Sequence, residues 1–575
     1  MLNNFHAEDK SIEDILFSHY IFRVPRYQRP FSWGLDKIEN FWRDLSEESS
    51  CFLGSFILNL EFKAEHGYIE IIDGQQRMLT STILIAVLRD TASEVGDNDL
   101  AQRIHNLAIF IASRNGEKKY RIKCGDSLDE FFQKYIQDET FYEFPLKLTN
   151  EQSLVRDAYH FFRNEISNNI SKYDKVKEKS DYIQTIWNKL SEQKAIWIEI
   201  SNDEDAYTIF ETVNARGEAL SAADLLKNLI FKNVPKTSEV DIAKKKWTTI
   251  EDNISEIDDD VTRFIRYYWL SKQNFVTEKQ LYKEMKKNIS NYDTLLNELV
   301  TESNNYFLLL DGERKDWSDR SEIKGNNKIF SSILGLRYMN VRQPNVLFMS
   351  LIRNSPKINV DLSKFFEKIE KFHFKYSAIC KLQANKVERL YSSVAIAIEK
   401  IVSSSQPKHI INNVQRELSK LSDELDRLTP SYQEFESKFM NVGYKNSETS
   451  RNLIRYILSK INYLDTSGEN LIDFNVVNIE HFLPQNPNRS EWGLIRKDVI
   501  EYVHKIGNLT LVHEKINSTA QNNNPKQKCT DLIKSDIKIT QELIKFVKNN
   551  KYIWNEDCII ERQKNFANIA YHKAW

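Results

Sequence analysis

The sequence predicts an α+β protein that is mainly helical, and three observations lead to this fold class. Strand-like and helical runs are mixed in the first 235 residues, helical periodicity fills residues 236–465, and a compact α+β pattern follows the turn-rich DTSGEN segment. A chain of 575 residues is also too long for one hydrophobic core. We therefore expect three domains, over residues 1–235, 236–465 and 466–575, with the helical middle as a connector.

The composition is that of a globular protein without a strong charge bias. Hydrophobic residues make up 41% and charged residues 28% of the chain, which is ordinary for a folded soluble protein. The formal net charge is -2, whereas proteins that hold nucleic acid by bulk attraction are usually basic. Any contact with DNA must therefore come from local patches of basic residues.

The cysteines and the N-terminus predict a cytoplasmic protein. Five cysteines are scattered singly and form no CxxC pair, which excludes a zinc ribbon and fits a reducing compartment. The first residues lack the basic and apolar regions of a signal peptide, and no run of about 18 apolar residues predicts a membrane span. We expect no membrane contact.

The first region is expected to combine a few strands with helices. Residues 52–58 and 68–72 are rich in β-branched and aromatic residues, which predicts two strands. Residues 77–90 place apolar side chains on one helical face, and charged helical segments follow over residues 98–190. A third strand is expected at residues 195–200, followed by a helix that holds the sequence AYTIFETVNARG.

The segment VPRYQRPFSW is the first candidate binding motif. Its two prolines force an extended path, from which Arg26, Tyr27, Gln28 and Arg29 project. Arginine supplies planar donors for phosphate, and aromatic rings stack on bases, so these four residues are candidates for DNA binding. An ordinary strand edge with surface arginines explains the segment equally well.

The segment IIDGQQRMLTSTILI is the second candidate motif. A strand is expected to end at Asp73, Gly74 permits a sharp turn, and a helix begins near Gln75. Helix N-termini bind phosphate, Arg77 adds positive charge in the first turn, and Asp73 could hold a metal or position water. No GxxxxGK[ST] motif is present, which excludes a P-loop. A capped helix is the simpler alternative, but Gln75, Gln76 and Arg77 are poor choices for a cap.

A third segment, FETVNARGEALSAADLLKN, is a candidate part of the same site. Asn214 and Arg216 are expected in a turn, and Ser221 is expected to cap a helix that carries Lys227. A turn and a capped helix would explain Ser221 without any function.

The C-terminal region places chemically useful residues where strands and helices begin or end. Glu480 and His481 follow a strand-like run, Asn508 begins a second run, and Asn517 stands at a helix start. Histidine suits a general base because its pKa lies near neutral, and carboxylate and amide oxygens suit a hard cation. His504 and His513 flank the second run and could be mistaken for ligands, but we expect them to be ordinary core or surface residues.

These C-terminal residues resemble the HNH, or His-Me finger, nucleases that carry EH-x-x-P on the first strand and GNLTL on the second. The resemblance implies a ββα-metal fold with His481 as general base and Asn508 orienting its imidazole. It further implies Glu480 and Asn517 as ligands of Mg²⁺ or Mn²⁺, and Lys528 as a contact to DNA phosphate.

The three N-terminal motifs together resemble the N-terminal domain of GmrSD-type modification-dependent restriction enzymes and of SspE-like phosphorothioate-sensing defence proteins. That domain is similar to the ParB and sulfiredoxin fold. The resemblance implies that Asp73, Gln75, Gln76 and Arg77 help to hydrolyse a nucleoside triphosphate, GTP or ATP. The residues implied in nucleotide binding are Gly74, Arg77, Asn214, Arg216 and Lys227.

The sequence therefore predicts an anti-phage restriction endonuclease whose metal-dependent cleavage is controlled by a nucleotide and directed at modified phage DNA. Two alternatives stay open: a catalytically quiet binding or regulatory module, and an RNA-cleaving nuclease of an abortive-infection system. The oligomeric state also stays open, a homodimer included.

Overall fold

In the computed structural model the chain divides into two compact units, residues 1–235 and 236–575. The predicted boundary between residues 465 and 466 lies outside the described residues, and the three-domain division stays a prediction. The structure describes residues 5–16, 18, 20–25, 28, 30–47, 52–60, 63, 67–112, 118–125, 128–200, 221–234, 241–404, 406–464, 474, 476–492, 499, 501–514 and 523–575.

A six-stranded mixed sheet organises the first unit, in the strand order β1-β8-β3-β4-β2-β7. Strand β2 runs parallel to β4 and β7, so the carboxyl ends of these three strands meet at one edge. Strand β3 is antiparallel to β4, so its first residues lie at that same edge. The strands of the unit are β1 (Phe5–Ser11), β2 (Ile21–Arg23), β3 (Phe52–Asn59), β4 (Tyr68–Asp73), β5 (Phe110–Ala112), β6 (Lys118–Tyr120), β7 (Ile122–Lys123) and β8 (Lys194–Ile200).

The helices of the first unit pack around one central helix, α3, in which sixteen of twenty residues are buried. The sequence predicted one apolar face here, but neighbouring helices cover the other faces as well, including the small polar residues Thr80, Ser81 and Thr82. The helices are α1 (Ile12–Leu16), α2 (Leu35–Glu47), α3 (Gln75–Glu94), α4 (Asn98–Ile104), α5 (Asp129–Phe132), α6 (Asn150–Ile170), α7 (Val176–Glu192) and α8 (Ala222–Asn233).

The strands predicted at residues 52–58, 68–72 and 195–200 are confirmed. The short strands β5, β6 and β7 were missed within the stretch predicted as helical, because two or three residues are too few for a periodic pattern. The helix predicted over AYTIFETVNARG lies outside the described residues.

The second unit begins with helices, as the sequence predicted. A buried arginine, Arg353, joins three of them: its guanidinium contacts Glu302 at 2.8 Å and Glu399 at 2.6 Å. Buried charges of this kind must be paired, so these contacts fix how the helices pack. The helices are α9 (Ile242–Glu256), α10 (Val261–Leu270), α11 (Glu278–Asn288), α12 (Tyr292–Leu310), α13 (Arg314–Ser318), α14 (Asn326–Tyr338), α15 (Asn345–Arg353), α16 (Ser355–Ile358), α17 (Ser363–His373), α18 (Ala384–Ser404), α19 (Pro407–Leu428), α20 (Tyr432–Phe439) and α21 (Glu448–Asn462).

Among the described residues, a two-stranded hairpin and four α-helices complete the second unit. Strands β9 (Val477–His481) and β10 (Leu509–His513) pair antiparallel, and helix α21 packs against both of them. The helical stretch predicted as a connector therefore contributes directly to the support of the hairpin. The remaining helices are α22 (Arg489–Trp492), α23 (Pro525–Leu532), α24 (Lys538–Asn549) and α25 (Glu556–Ile569).

None of the helices that the structure describes is long and apolar enough to cross a membrane. The four described cysteines, at positions 124, 380, 529 and 558, are buried and free.

Candidate functional sites

The C-terminal hairpin places Glu480 and His481 at the end of its first strand. His481 stands opposite Leu509 in the antiparallel pair. Glu480 and His481 are neighbours in the chain, and Lys528 contacts both of them at this strand end. The amide of Phe482 donates to the carbonyl of Asn508 at 2.9 Å, so the pairing continues one residue past the strand.

Asn508 holds the backbone around the hairpin rather than the imidazole of His481. Its carboxamide oxygen accepts from the amide of Leu483 at 2.8 Å and from Nε1 of Trp554 at 3.0 Å. Its nitrogen donates to the carbonyls of Leu483 at 3.0 Å and Val503 at 2.7 Å. These four bonds use both donors and both acceptor positions of an asparagine side chain. Asn508 therefore makes no direct bond to the imidazole, and the predicted orienting of the ring would have to act through the backbone.

Gly507, which precedes Asn508, is required by the close approach of helix α25. A side chain at this position would collide with the carbonyl of Ile559. From the same helix, the buried guanidinium of Arg562 donates to the carbonyls of Gly507 at 2.8 Å and Leu509 at 2.7 Å. The first two residues of GNLTL thus serve packing and backbone support.

Lys528 is the partner of Glu480. Its Nζ lies 2.5 Å from Oε1 of Glu480 and donates to the carbonyl of His481 at 2.7 Å. Burial lowers the pKa of Lys528 and raises the pKa of Glu480, and their mutual attraction opposes both shifts. Since Lys528 is only 1% exposed, the predicted contact of Lys528 with DNA phosphate is wrong. It instead fixes the carboxylate beside His481.

The imidazole of His481 lies between two other rings. Its Nε2 is 3.1 Å from Nδ1 of His504, and the ring of Tyr444 meets it edge to face with centroids 5.1 Å apart. Burial, followed by the charges of His504 and Lys528, lowers the pKa of His481 to about 4. His481 is therefore neutral at pH 7 and able to accept a proton.

His504 is a member of this site that sequence reasoning missed. The expectation of an ordinary core or surface histidine does not hold for it, because it bonds to the imidazole of His481. The same expectation is correct for His513, whose half-exposed ring lies 3.0 Å from Asp536. No local pattern distinguishes the two residues, since the contact of His504 arises from tertiary folding.

The donors present fit a hard cation of the magnesium type. Asn517 lies outside the described residues, so its place as a ligand stays a prediction. Among the described residues, no three His, Cys, Asp or Glu side chains cluster as a closed metal cage requires. Mg²⁺ instead takes one or two carboxylates and keeps several waters. Glu480 supplies one such carboxylate, which is paired with the ammonium of Lys528.

The second candidate site lies at the edge of the N-terminal sheet where β2 and β4 end. After Asp73, Gly74 adopts φ +91°, a left-handed conformation that lets α3 begin at the buried residue Gln75. A Cβ at position 74 would lie 2.5 Å from the ring of Phe56. Gly74 carries no side chain that could cap the start of α3, and its carbonyl accepts from the amide of Met78 at 2.9 Å.

Two glutamines join the two N-terminal motifs. The carboxamide of Gln76 accepts from the amide of Ser32 at 2.9 Å and donates to the carbonyl of Pro30 at 3.2 Å. In return, Gln28 donates to the carbonyl of Ile72 at 2.9 Å. The two motifs are 44 to 46 residues apart in the sequence, but these hydrogen bonds join them in the structure. Gln76 has a structural part in it that was not predicted.

Arg77 lies across the start of β3. Its Nη2 donates to the carbonyl of Ser55 at 2.6 Å and to Asp73 at 3.2 Å. The close approach is possible because residue 54 is glycine: a Cβ there would lie 2.7 Å from Nη1 of Arg77. Among the described residues, no partner accepts a hydrogen bond from the buried Nε of Arg77.

A cavity of about 210 Å³ opens beside Arg77. Its walls include the rings of Trp33, Phe41 and Phe52, and Lys37 and Asp44 add one charge of each sign. An apolar, aromatic cavity with a few polar groups is the usual form of a small-molecule site.

The remaining predicted residues are only partly described. The predicted N-cap is confirmed, because Oγ of Ser221 accepts from the amide of Asp224 at 3.1 Å at the start of α8. Lys227 is half-buried on the same helix, and its nucleotide contact stays a prediction. The predicted site residues outside the described part of the chain are Arg26, Tyr27, Arg29, Asn214 and Arg216.

We expect Gly74→Ala to destabilise the protein more than Gly96→Ala. Both glycines have positive φ, +91° and +93°, but only a Cβ at position 74 meets another atom within 4 Å. Gly96→Ala should cost about 1–2 kcal/mol of backbone strain. Gly74→Ala should cost roughly 1–3 kcal/mol more, because it also overpacks against Phe56. Urea unfolding measures both, and equal losses would contradict the packing argument.

Comparison with known families gives two matches. Residues 12–231 match the model described as GmrSD restriction endonuclease, N-terminal domain. Residues 429–569 match the model described as GmrSD restriction endonucleases, C-terminal domain, a region that includes Tyr444 as well as the hairpin. Together the matches cover well over half of the chain. A search among curated proteins found no match.

Proposed function

The chain belongs to the GmrSD restriction endonucleases, and we propose that its C-terminal site cuts DNA in a metal-dependent reaction controlled by a nucleotide in the N-terminal unit. The arrangement of side chains at the end of strand β9 is the main support for this proposal. There a buried histidine stands next to a carboxylate that is held by a buried lysine.

In the proposed reaction His481 acts as the general base. It accepts a proton from the water that attacks the phosphodiester, a role that is typically worth about 10²–10⁴-fold in rate. The backbone that carries it is fixed on one side by Lys528, which bonds to its carbonyl, and on the other by Asn508. Preorganisation of this kind keeps the base in place without rearrangement during the reaction.

Glu480, with Asn517, would hold Mg²⁺ or Mn²⁺. When bound, such an ion stabilises the negative charge that develops on the phosphate and the leaving oxygen. Glu480 contributes a carboxylate whose position is set by Lys528. Because the side chain is only 12% exposed, it can present its oxygens in few directions.

For the N-terminal unit we propose binding and hydrolysis of GTP or ATP at the sheet edge. The guanidinium of Arg77, whose Nε has no hydrogen-bond acceptor among the described residues, would supply a donor for phosphate groups. The aromatic cavity beside Arg77 offers rings on which a base can stack. Asp73, which contacts Arg77, would orient water near the phosphates.

Sensing of modified phage DNA is proposed for the segment that contains Gln28. This segment is joined to the nucleotide edge by the bonds of Gln28 and Gln76, so a displacement by DNA would act on the backbone that binds nucleotide. DNA recognition would thus be coupled to nucleotide turnover through the hydrogen bonds that join the two segments.

The metal part of the proposal is tested with Glu480→Gln. A ligand present at about 100 times its Kd, and bound only by the folded state, stabilises that state by about 2.7 kcal/mol. We expect Mg²⁺ to raise the melting temperature of the wild type and of the control Glu491→Gln, which alters an exposed carboxylate. We expect little rise for Glu480→Gln. An equal rise in all three proteins would show that Glu480 is not a ligand.

A further inference from the structure

We infer that His504 is a positioning residue of the nuclease site, which holds the imidazole of His481 in the tautomer whose Nδ1 is free to act as the base. The inference rests on the proposed function, because it assigns the residue that orients the proposed base. It also fills the role that Asn508 leaves open, since all four hydrogen bonds of that carboxamide go elsewhere.

The geometry gives His504 a direct contact with the base. Nε2 of His481 and Nδ1 of His504 are 3.1 Å apart, a normal hydrogen-bond distance. Among the residues that the structure describes, none donates a hydrogen bond to Nδ1 of His481. His481 is thus held by one ring nitrogen and open at the other.

The direction of the bond follows from what a base requires. A neutral imidazole carries one N–H and one lone pair. If His504 donated to Nε2, the lone pair of His481 would be occupied and Nδ1 would carry the N–H. If His481 donates its Nε2–H to His504, Nδ1 keeps the lone pair and can take the proton of water. The resulting imidazolium still donates from Nε2 to His504, so the bond persists through the proton transfer.

His504 is held from outside the hairpin, by the segment that follows α20. The amide of Tyr444 donates to the carbonyl of His504 at 2.7 Å, and the amide of Ile506 donates to the carbonyl of Val442 at 3.1 Å. Residue 443 must be glycine for this approach, because a Cβ there would lie 2.6 Å from the carbonyl oxygen of His504. The position of His504 is therefore set independently of the strand that carries His481.

In the described part of the chain, the other groups near His481 offer no alternative acceptor for its Nε2–H. The ring of Tyr444 packs edge to face on His481 and parallel to His504, with centroids 5.8 Å apart in the second case. The ammonium of Lys528 is occupied by Glu480 and by the carbonyl of His481, and it is a donor. The aromatic ring restricts the tilt of both imidazoles, and His504 supplies the hydrogen-bond acceptor.

Three substitutions of His504 test the inference in the full-length protein with Mg²⁺ and a DNA substrate. In His504→Asn, the carboxamide oxygen takes the place of Nδ1, because both atoms are bonded to Cγ. His504→Gln carries its oxygen one bond farther, and His504→Ala has no acceptor. We expect kcat to fall about 10-fold to 100-fold in the Ala and Gln variants, as for other residues that orient an active-site histidine, with KM unchanged. His504→Asn should restore most of the rate.

Two controls separate this role from folding. His513→Ala removes the other histidine near the hairpin and should cleave like the wild type. All variants should unfold at similar temperatures. An unchanged kcat in His504→Ala would overturn the inference, as would a folded His504→Asn that is as slow as His504→Ala. Full activity of His481→Ala would instead overturn the proposed function itself.

Discussion

Replacing His481 with alanine is expected to abolish most DNA cleavage, with a fall in kcat of about 10²–10⁴-fold, because the proposed general base is removed. The side chain contributes to no hydrogen bond other than the one with His504 among the described residues. Its loss should therefore leave the hairpin folded and the affinity for DNA nearly unchanged. Initial rates over a range of DNA concentrations measure kcat and KM separately.

The matched control for this substitution is His513→Ala. His513 ends strand β10, but its ring is half-exposed and faces Asp536. It should cleave DNA at the wild-type rate. If His481→Ala keeps full kcat, or if both variants lose activity equally, His481 is not the base.

Replacing Lys528 with methionine is expected to cause the largest loss of stability of any substitution discussed for the second unit. Methionine preserves much of the volume but leaves the carboxylate of Glu480 buried without its counter-charge. Removing one partner of a buried ion pair costs about 3–5 kcal/mol. The carbonyl of His481 also loses its donor. The free energy of unfolding, measured with urea, should fall by that amount.

Two companion variants identify the cause of this loss. Lys526→Met removes an exposed lysine from the same helix and should change the free energy of unfolding by less than about 0.5 kcal/mol. The double variant Lys528→Met with Glu480→Gln removes both charges, so it should recover part of the stability. If the double variant is as unstable as the two single losses added together, the ion pair is not what Lys528 contributes.

Much of the fold follows from local sequence patterns. The strands at residues 52–58, 68–72 and 195–200 were predicted because short runs of β-branched residues are distinctive, and the capped helix after Ser221 has a recognisable start. The helical nature of residues 242–462 in the described part of the chain follows from periodicity. What the patterns could not show is that α21 and the segment around Tyr444 support the hairpin, since these are long-range contacts.

In the candidate sites too, local motifs located residues but did not reveal their contacts. The motifs located His481, Glu480 and the turn at Gly74, because each stands where a strand ends. The contacts of Asn508 were missed and the role of Lys528 was mistaken because a motif gives the residue type but not its burial or its partners. His504 carried no signal, since only the folded chain brings its ring to that of His481.

In the proposed function a nucleotide bound near Arg77 controls cleavage at His481. The most direct test measures cleavage of modified phage DNA and of unmodified plasmid with Mg²⁺, with and without GTP or ATP, for the wild type, Arg77→Ala and His481→Ala. We predict that nucleotide changes the rate of the wild type on modified DNA, has no effect on Arg77→Ala, and leaves His481→Ala inactive. A nucleotide effect that persists in Arg77→Ala, or cleavage of RNA alone, would contradict the account.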